Sequence, residues 1–300
     1  MNTENRKARW SVERRLEFID FRLYWTGRIN RGDLIEYFEI SMPQASADIG
    51  RYLEVAKDNV EYDATAKTYV ATPRFKPKFF TPSAEAYLSQ LQMLGSGLLS
   101  GEETSVGEPP PYAVVPVLHR RQDPKILRSL LDAIRTHSSI EVNYQSFTRP
   151  EPQWRRLSPH AIASDGFRWH VRAWCHSREE FRDFVIGRFL AARSTRPDEI
   201  APERDTGWTR EVTFKIGPHP EMTDGARTVT ELDYGMKDGM LVVTVRACVA
   251  PYLKRRYGLN KDPNTVTPKE QQIVLLNAAE VDRAMREAGV TFGTEVAAPD

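Results

Sequence analysis

The chain has 300 residues, and its 42 basic and 41 acidic residues leave a formal net charge of +1 at pH 7. This length predicts two or three domains, and the near-neutral charge argues against a protein that coats nucleic acid or a membrane through bulk charge. No apolar run is long enough to span a bilayer and residues 1–7 lack the apolar core of a signal peptide, so we expect a cytoplasmic protein with no membrane partner. The only cysteines, Cys175 and Cys248, lie in apolar strand-like runs and are predicted to be small buried residues.

The first 80 residues begin with the pattern of three helices. A helix that starts near Trp10 ends at Gly27, and a shorter helix covers residues 31–38. Ser41 can cap a third helix, in whose first turn Pro43 is tolerated. The residues of this third helix that we expect to face outwards are Pro43, Gln44, Ala45 and Ser46. Those that we expect to face inwards are Ala47, Ile49 and Leu53. A leading end with small and polar side chains suits a helix that lies against base edges in a major groove.

A hairpin pattern follows, with strand-like runs at residues 60–62 and 67–70 around Asp63-Ala64-Thr65-Ala66. Three helices and a hairpin are the order of a winged helix-turn-helix, so we predict a DNA-binding domain over residues 1–80. Basic residues after the hairpin could add phosphate contacts, which carry no sequence information. The predicted DNA-binding residues are Ser41, Pro43, Gln44, Ser46, Arg51, Lys67 and Arg74. The alternative is a trihelical unit that docks only protein partners.

Residues 81–117 are predicted to be a helix, over residues 83–94, and a linker rich in glycine and proline. The Gly95-Ser96-Gly97 run in this linker is not interpreted as a nucleotide loop, because no strand precedes it and no lysine follows in register. A helix at 123–137 and a strand at 140–144 then open a central domain, predicted over residues 118–195.

The strongest functional signal is the stretch 154–188, where three strand-like runs carry arginine and histidine. Alternation in the middle run predicts a core face formed by Trp169, Val171, Ala173 and Cys175. It predicts a cationic and aromatic face formed by Arg168, His170, Arg172 and Trp174. If the three runs lie in one sheet or barrel, their guanidinium and imidazole groups form a site for an anion, most plausibly phosphate. The alternative is an ordinary solvated outer face, since alternation cannot say whether two strands present the same face.

The last part of the chain, residues 208–300, predicts a small mixed α/β module that packs against a second subunit. Strands are expected at 212–216 and 240–245 and short helices at 251–257 and 280–288, with the apolar run 272–276 between the two helices. The chain lacks a Gly-x-Ser-x-Gly elbow, a Walker loop, a His-Glu-x-x-His motif and a Cys-x-x-Cys pair, so we predict that the protein is not an enzyme and needs no cofactor or metal. Ser158, His160 and Asp165 are too close on one strand to form a triad.

The chain resembles the WYL-domain transcriptional regulators, in particular the type found beside bacterial BREX and CBASS phage-defence operons. Trp169-His170-Val171 stands where that family has its naming motif, with the tyrosine and the leucine both replaced. The surrounding matches are Tyr144, Arg155 to His160, Arg172-Ala173-Trp174-Cys175 and Phe181-Arg182-Asp183-Phe184. The run beginning at Pro43 resembles the recognition helix of the subgroup, and Leu232-Asp233-Tyr234-Gly235-Met236 resembles its C-terminal extension.

The resemblance implies a multidomain α+β protein: an N-terminal winged helix-turn-helix, a central WYL domain with an Sm-like or SH3-like β-barrel, and a C-terminal dimerisation module. It implies a homodimeric repressor whose WYL pocket senses a nucleotide or nucleic-acid effector. The ligand contacts it implies are Tyr144, Ser146, Arg155, His160, His170, Arg172 and Arg188. The cationic and aromatic pattern adds Arg156, Trp169 and Arg182. Because histidine replaces the tyrosine of the motif, ligand binding could depend on pH.

We therefore expect a dimer that binds a double-stranded operator with inverted half-sites one or more helical turns apart. A rival interpretation is an RNA- or single-stranded-DNA-binding accessory protein that acts through its WYL domain. A second rival is a nuclease or another enzyme, against which the arginine-rich central stretch argues, because metal-dependent nucleases need clustered carboxylates.

Overall fold

The structure is a computed structural model, which describes residues 3–116, 118, 120–198 and 200–290. The chain divides into two units, residues 1–118 and residues 119–300. Among the helices of the described ranges, none has the length and apolar character that crossing a bilayer requires.

The first unit contains the predicted three helices and hairpin. In chain order its elements are α1 (Thr3–Thr26), β1 (Arg28–Ile29), α2 (Arg31–Phe38), α3 (Met42–Val55), β2 (Val60–Asp63), β3 (Thr68–Ala71) and α4 (Ala84–Gly95). The hairpin gains a third strand, β1, which pairs with β3 and gives the sheet order β1-β3-β2. Strand β1 was not predicted from the sequence, because two residues are too few to show alternation.

Local capping explains where α2 and α3 begin. The Asn30 side chain accepts a hydrogen bond from the Asp33 backbone N–H at 3.0 Å, and Asp33 accepts one from the Asn30 N–H at 2.7 Å. This reciprocal pair is a capping box. Ser41 caps α3 as predicted, since its hydroxyl accepts from the Gln44 N–H at 3.4 Å. The three helices enclose an apolar core that includes Ile19, Leu23, Leu34, Ile49 and Tyr52.

The predicted faces of α3 are partly wrong. Ala45, expected to face outwards, is fully buried, and Ala47, expected to face inwards, is exposed. The buried stripe is Ala45, Asp48, Ile49 and Tyr52. A charged residue belongs to this stripe because the Asp48 carboxylate accepts from Arg15 Nε of α1 at 2.6 Å, which compensates its burial. The predicted buried face of α3 was wrong because the prediction considered only apolar residues and left out Asp48.

The second unit is a run of strands preceded by one helix and followed by a mixed segment. Its elements are α5 (Pro124–Arg135), β4 (Ser138–Tyr144), β5 (Gln153–Ser164), β6 (Trp169–Cys175), β7 (Glu180–Val185), β8 (Phe189–Pro197), α6 (Thr206–Thr209), β9 (Glu211–Pro218), α7 (Asp224–Asp233), β10 (Leu241–Arg246), α8 (Ala250–Arg256), β11 (Ile273–Leu275) and α9 (Ala278–Glu287).

Strands β4 to β8 form an open antiparallel sheet in the order β7-β6-β5-β4-β8, so the prediction of a closed barrel is wrong. A barrel would require β7 and β8 to pair, but they are the two edges of the sheet. They are joined by a single 3₁₀ turn, Ile186–Arg188, in which Ile186 packs into the core instead of extending a ladder. Periodicity in the sequence predicts which residues are buried, but it does not predict whether the edge strands pair.

One face of this sheet is covered by α5. The amphipathic helix begins at its N-cap Asp123 and places Ile126, Leu130 and Ala133 against the sheet. The opposing sheet residues are Ile140, Val142, Leu157, Val171, Ala173, Cys175 and Phe184. We call this side of the sheet, defined by Val142, Leu157, Ala173 and Cys175, the helix face.

The C-terminal segment is the predicted mixed α/β module. Its antiparallel sheet has the order β10-β9-β11, and Phe214 and Ile216 of β9 pack against Val281 and Met285 of α9. Helix α7 was not predicted from the sequence. Threonine, glycine and aspartate are frequent in α7 and have low helix propensity, and its start is fixed by Thr223, whose side chain accepts from the Ala226 N–H. Both cysteines are buried and free, as predicted.

Candidate functional site

The predicted DNA-binding residues lie on the surface of the first unit. On α3, Ser41, Pro43 and Arg51 are exposed, while Gln44 and Ser46 are half-buried. Lys67 lies exposed in the hairpin turn with a positive φ of 50°, and Arg74 is exposed after the hairpin. The outward side of α3 is built from small side chains flanked by one arginine, which allows close approach of the helix backbone to another surface.

The pairing register divides the predicted anion-binding residues between the two faces of the five-stranded sheet. Arg155 lies opposite Val142, and Leu157 lies opposite Cys175, so Arg155 belongs to the helix face. Arg172 lies between Val171 and Ala173 on β6 and therefore points to the other side. The structure therefore does not bring Arg155 and Arg172 together into the single anion site that the sequence predicted.

The side that carries His170 and Arg172 is also buried, because residues 200–290 cover it. We call it the segment face. Arg172 donates from Nε and Nη2 to the two carboxylate oxygens of Asp205, at 2.7 and 2.9 Å. Its Nη1 lies 3.4 Å from Asp183 on the neighbouring strand β7. His160 also donates to Asp205, at 2.9 Å, and Tyr252 donates to Asp183 at 2.8 Å.

Asp205 is the centre of this polar network and is 1% exposed. Burial by itself would raise the pKa of its carboxyl group, but the hydrogen bonds from His160 and Arg172 outweigh burial and hold the pKa at about 2. Asp205 is also the N-cap of α6, accepting from the Trp208 N–H at 3.2 Å. It therefore joins the sheet to the start of the C-terminal segment.

His170 stacks on Tyr252 of α8, with ring centroids 5.1 Å apart and an angle of 11° between the planes. Burial lowers the pKa of the His170 imidazole, against the opposing effect of the Asp183 and Asp165 carboxylates. The ring is therefore neutral near pH 7, and its Nδ1 is buried with no hydrogen-bond partner. Its neighbour Trp169, predicted to lie in the core, is about half exposed at the end of β6.

Arg155 differs from Arg172, because no acidic partner accompanies its burial. The residue is 5% exposed, and its Nε has no hydrogen-bond partner. Among the described ion pairs none includes Arg155. Tyr144, on the same face, is fully buried, and its hydroxyl accepts from the Val185 N–H at 3.3 Å. Its edge-to-face contact with Phe184 places the ring in the core.

The other predicted ligand contacts make local interactions. Arg188 is half-buried and lies over the Phe147 ring at 5.6 Å, and the Ser146 hydroxyl is 3.0 Å from that of Thr148. Arg182 pairs with Glu180 at 3.0 Å. Arg156 is exposed on the segment side and donates to Ser139 at 3.0 Å and to Asp198 at 3.3 Å.

A cluster of Ser158, His176 and Asp198 was not predicted. The Ser158 hydroxyl lies 2.7 Å from His176 Nε2 and 2.6 Å from Asp198, while the same Nε2 lies 3.0 Å from Asp198. A catalytic triad needs the carboxylate on one ring nitrogen and the hydroxyl on the other, so this arrangement does not activate the serine. Within the described ranges no group of histidine, cysteine and carboxylate side chains is placed to hold a metal ion.

Three residues of the segment face were not among the predicted site residues: Asp183, Asp205 and Tyr252. Asp183 belongs to the Phe181-Arg182-Asp183-Phe184 motif, but the motif alone predicted no role for it. Asp205 could have been found as a helix N-cap, because it directly precedes the short run Thr206-Gly207-Trp208. Their pairing with Arg172 and His170 is a tertiary contact without a signal in the sequence.

Three family models match successive parts of the chain. They are the BrxR transcriptional regulator winged helix-turn-helix domain at residues 11–93, the WYL domain at 125–194, and the BrxR transcriptional regulator C-terminal dimerization domain at 211–281. A DNA-binding transcriptional repressor CapW from Stenotrophomonas maltophilia is 44% identical over 284 residues, which are 94% of either chain. The chain belongs to the CapW repressor family.

Further CapW relatives have similar coverage. The CapW protein of Escherichia coli strain KTE188 is 38% identical over 93% of this chain and 94% of its own length. The CapW protein of Pseudomonas aeruginosa is 42% identical over 91% of this chain and 92% of its own length. Among solved structures, proteasome accessory factor B/C of Arthrobacter aurescens matches at 18% identity and a TM-score of 0.25, over 85% of this chain and 44% of that one. The three family models confirm the predicted winged helix-turn-helix, WYL domain and C-terminal dimerisation domain.

Asp205→Asn tests the network of the segment face. The variant leaves Arg172 buried without its main counter-ion, so we expect the free energy of unfolding at pH 7 to fall by roughly 3 kcal/mol. The folded-state pKa of Asp205 is depressed, so its contribution is complete above its ordinary pKa of about 4 and is lost as the pH falls towards 2. The difference between wild type and variant, measured by urea unfolding, should therefore narrow below pH 4. Glu203→Gln, an exposed neighbour, is the control, and a gap independent of pH would contradict this account.

Proposed function

We propose that this protein is a homodimeric, sequence-specific transcriptional repressor of a phage-defence operon, bound at an inverted-repeat operator. In this proposal a nucleotide or nucleic-acid effector binds the WYL domain and changes the affinity for the operator. The CapW relatives, described as DNA-binding transcriptional repressors and similar over almost their whole length, support the repressor part. The effector part depends on the chemistry of the sheet.

The observation that carries effector binding is the unpaired burial of Arg155. A guanidinium is always charged, and moving it out of water costs several kcal/mol unless an anion compensates it. Arg172 on the adjacent strand has two carboxylates, whereas Arg155 has no carboxylate among the described residues. A protein that retains such a charge is expected to bind an anion there. Phosphate suits it, because arginine binds phosphate oxygens through paired hydrogen bonds.

Aromatic side chains beside arginines favour a nucleotide over a simple phosphate ion. Phe147, 78% exposed, lies beneath Arg188. Trp154 lies beneath Arg193 at 3.9 Å, on the face of the sheet opposite to Arg155. Bases stack on aromatic rings and on guanidinium planes, and this stacking tolerates any sequence. The same features support the second candidate function, an accessory protein that binds RNA or single-stranded DNA through its WYL domain.

Arg172 has a different role in this proposal. Its hydrogen-bonding groups are occupied by Asp205 and Asp183, so an effector phosphate would have to displace a buried carboxylate. Arg172 instead connects the sheet to Asp205, which lies just before the C-terminal dimerisation domain. For regulation, the effector must prefer one arrangement of the dimer over another, because equal affinity for both would shift nothing.

The proposed dimer contact involves apolar residues at the surface of the dimerisation domain. Val229 and Leu232 lie one turn apart on α7, and Leu232 is 75% exposed. Neighbouring large apolar side chains on one helix face favour burial against a second copy.

The repressor function is tested first by footprinting the full-length protein on the DNA upstream of its own gene. We expect two protected half-sites related by a dyad, one or more helical turns apart, as symmetric helix-turn-helix dimers give. A mobility-shift comparison uses the same sequence as duplex DNA, single-stranded DNA and RNA. Equal or tighter binding of the single strands without a symmetric footprint would support the accessory protein and contradict the repressor.

Arg155→Met tests the effector site. The methionine keeps the aliphatic contacts and removes the uncompensated charge, so we expect the free energy of unfolding to rise by about 1 kcal/mol while operator binding is unchanged. The variant should no longer bind a short single-stranded oligonucleotide, which serves as the probe in calorimetric titration. Arg135→Met, on the exposed side of α5, is the control. A destabilised variant, or one that still binds the probe, would show that Arg155 is a structural residue.

Leu232→Glu tests the self-association surface. A charge at this exposed position should not harm the fold, but it cannot be buried between two subunits. We expect sedimentation to show a shift from dimer to monomer and the affinity for the two-half-site operator to fall. Lys237→Glu, an exposed position just after α7, controls for the added charge. Unchanged dimerisation in the Leu232 variant would place the interface elsewhere.

A further inference from the structure

The Gln44 side chain does not reach outwards freely from α3. Its Nε2 lies 3.1 Å from both carboxylate oxygens of Asp48, one helical turn further along the helix. At the third position of a helix, glutamine can fold back to the N-cap backbone, but here it is turned the other way. The amide is held by a residue of its own helix.

Asp48 is itself immobilised. The residue is fully buried, and Arg15 of α1 donates to it from Nε at 2.6 Å and from Nη2 at 3.3 Å. The paired guanidinium fixes the plane of the carboxylate, because a two-point contact leaves little freedom of rotation. Arg15, Asp48 and Gln44 therefore form a chain of hydrogen bonds that runs from the buried side of α1 to the surface of α3.

The chemistry of this chain determines which end of the Gln44 amide faces outwards. A carboxylate paired with arginine only accepts hydrogen bonds, so the amide must present its nitrogen to Asp48. The carbonyl oxygen lies at the opposite end of the amide. No described residue donates to that oxygen, and it is open to solvent. The outer end of the Gln44 amide therefore offers an acceptor, its carbonyl oxygen, to a partner.

We propose that Asp48 is a positioning residue that fixes the Gln44 amide so that its carbonyl oxygen reads an amino group in the DNA major groove. This inference rests on the proposed function, in which α3 lies in that groove. In the major groove the amino groups are N6 of adenine and N4 of cytosine, whereas guanine O6 and thymine O4 are acceptors and repel a carbonyl. Gln44 therefore selects adenine or cytosine on the strand it contacts.

This selection has a distinct signature. At the base pair read by Gln44, A·T and C·G should bind well, and T·A and G·C should bind poorly, because inversion moves the amino group to the other strand. If the other strand is taken as the contacted one, the two groups exchange places, but A·T still binds like C·G and T·A still binds like G·C. This grouping differs from a preference for purines and from a preference for A·T pairs, which other contacts would give. We expect inversion of the pair to weaken binding about 5- to 100-fold.

The test uses full-length protein and the duplex preferred in selection from a randomised pool. Fluorescence anisotropy measures affinity for every single-base-pair variant of that duplex. Gln44→Ala identifies the pair read by Gln44, because discrimination there alone should disappear. Glu54→Gln, exposed near the other end of α3, is the control. The inference is overturned if the affinity at that base pair depends on purine against pyrimidine or on A·T against G·C content. It is also overturned if Gln44→Ala changes discrimination at no position.

Asp48→Asn tests the positioning role. The neutral side chain can present either an oxygen or a nitrogen to Gln44, so the amide is free to turn over. We expect the penalty for inverting the pair to shrink towards one while binding to unrelated duplex DNA is unchanged, which a purely structural residue would not produce. An unaltered penalty in a folded variant overturns the role of Asp48. If Asp48→Asn unfolds, as thermal unfolding would show, the wild-type and Gln44→Ala comparison decides the inference alone. If wild-type protein selects no sequence, the proposed function itself fails.

Discussion

A guanidinium that leaves water needs an anion, and the second unit is arranged around how Arg172 meets this requirement. Its two carboxylates come from different places: Asp183 from the neighbouring strand β7, and Asp205 from the start of the C-terminal segment. Apolar side chains of similar volume would give comparable stability without the cost of desolvation. What the ion pair adds is a fixed point of attachment, because Asp205 meets Arg172 through two hydrogen bonds where the C-terminal segment begins to cover this face.

The same requirement explains where the sequence predicted the structure and where it did not. Hydrophobic periodicity identified α5, which has one face in the core and the other towards solvent, and β4, whose alternate residues Ile140, Val142 and Tyr144 lie in the core. It failed on β6, where His170 and Arg172 are buried although alternation marks them as exposed. Their cover is supplied by Tyr252 and Asp205, residues distant in the sequence. The closed barrel failed for a related reason, since edge pairing is a tertiary property that alternation does not encode.

Charge burial also limits what could be known about function. On the sequence Arg155 and Arg172 look alike, because both are strand arginines next to apolar residues. In the structure they lie on opposite faces, and only Arg172 has acidic partners. On α3 the same difficulty arises with Asp48, whose buried position depends on Arg15, 33 residues earlier. The sequence singles out the clustered arginines and histidines, but it does not show which acidic residue pairs with each of them.

If an effector binds at Arg155 as proposed, β5 is the strand that links this residue to the network around Asp205. This strand carries Arg155 on the helix face and His160 five positions later, beside the irregular register between Pro159 and Ala161. His160 donates to the same Asp205 carboxylate as Arg172. An anion bound at Arg155, as proposed, would therefore contact the strand whose other end contacts the N-cap of α6 through His160. A coupling of this kind would need two arrangements of β5 with different hydrogen bonds to Asp205.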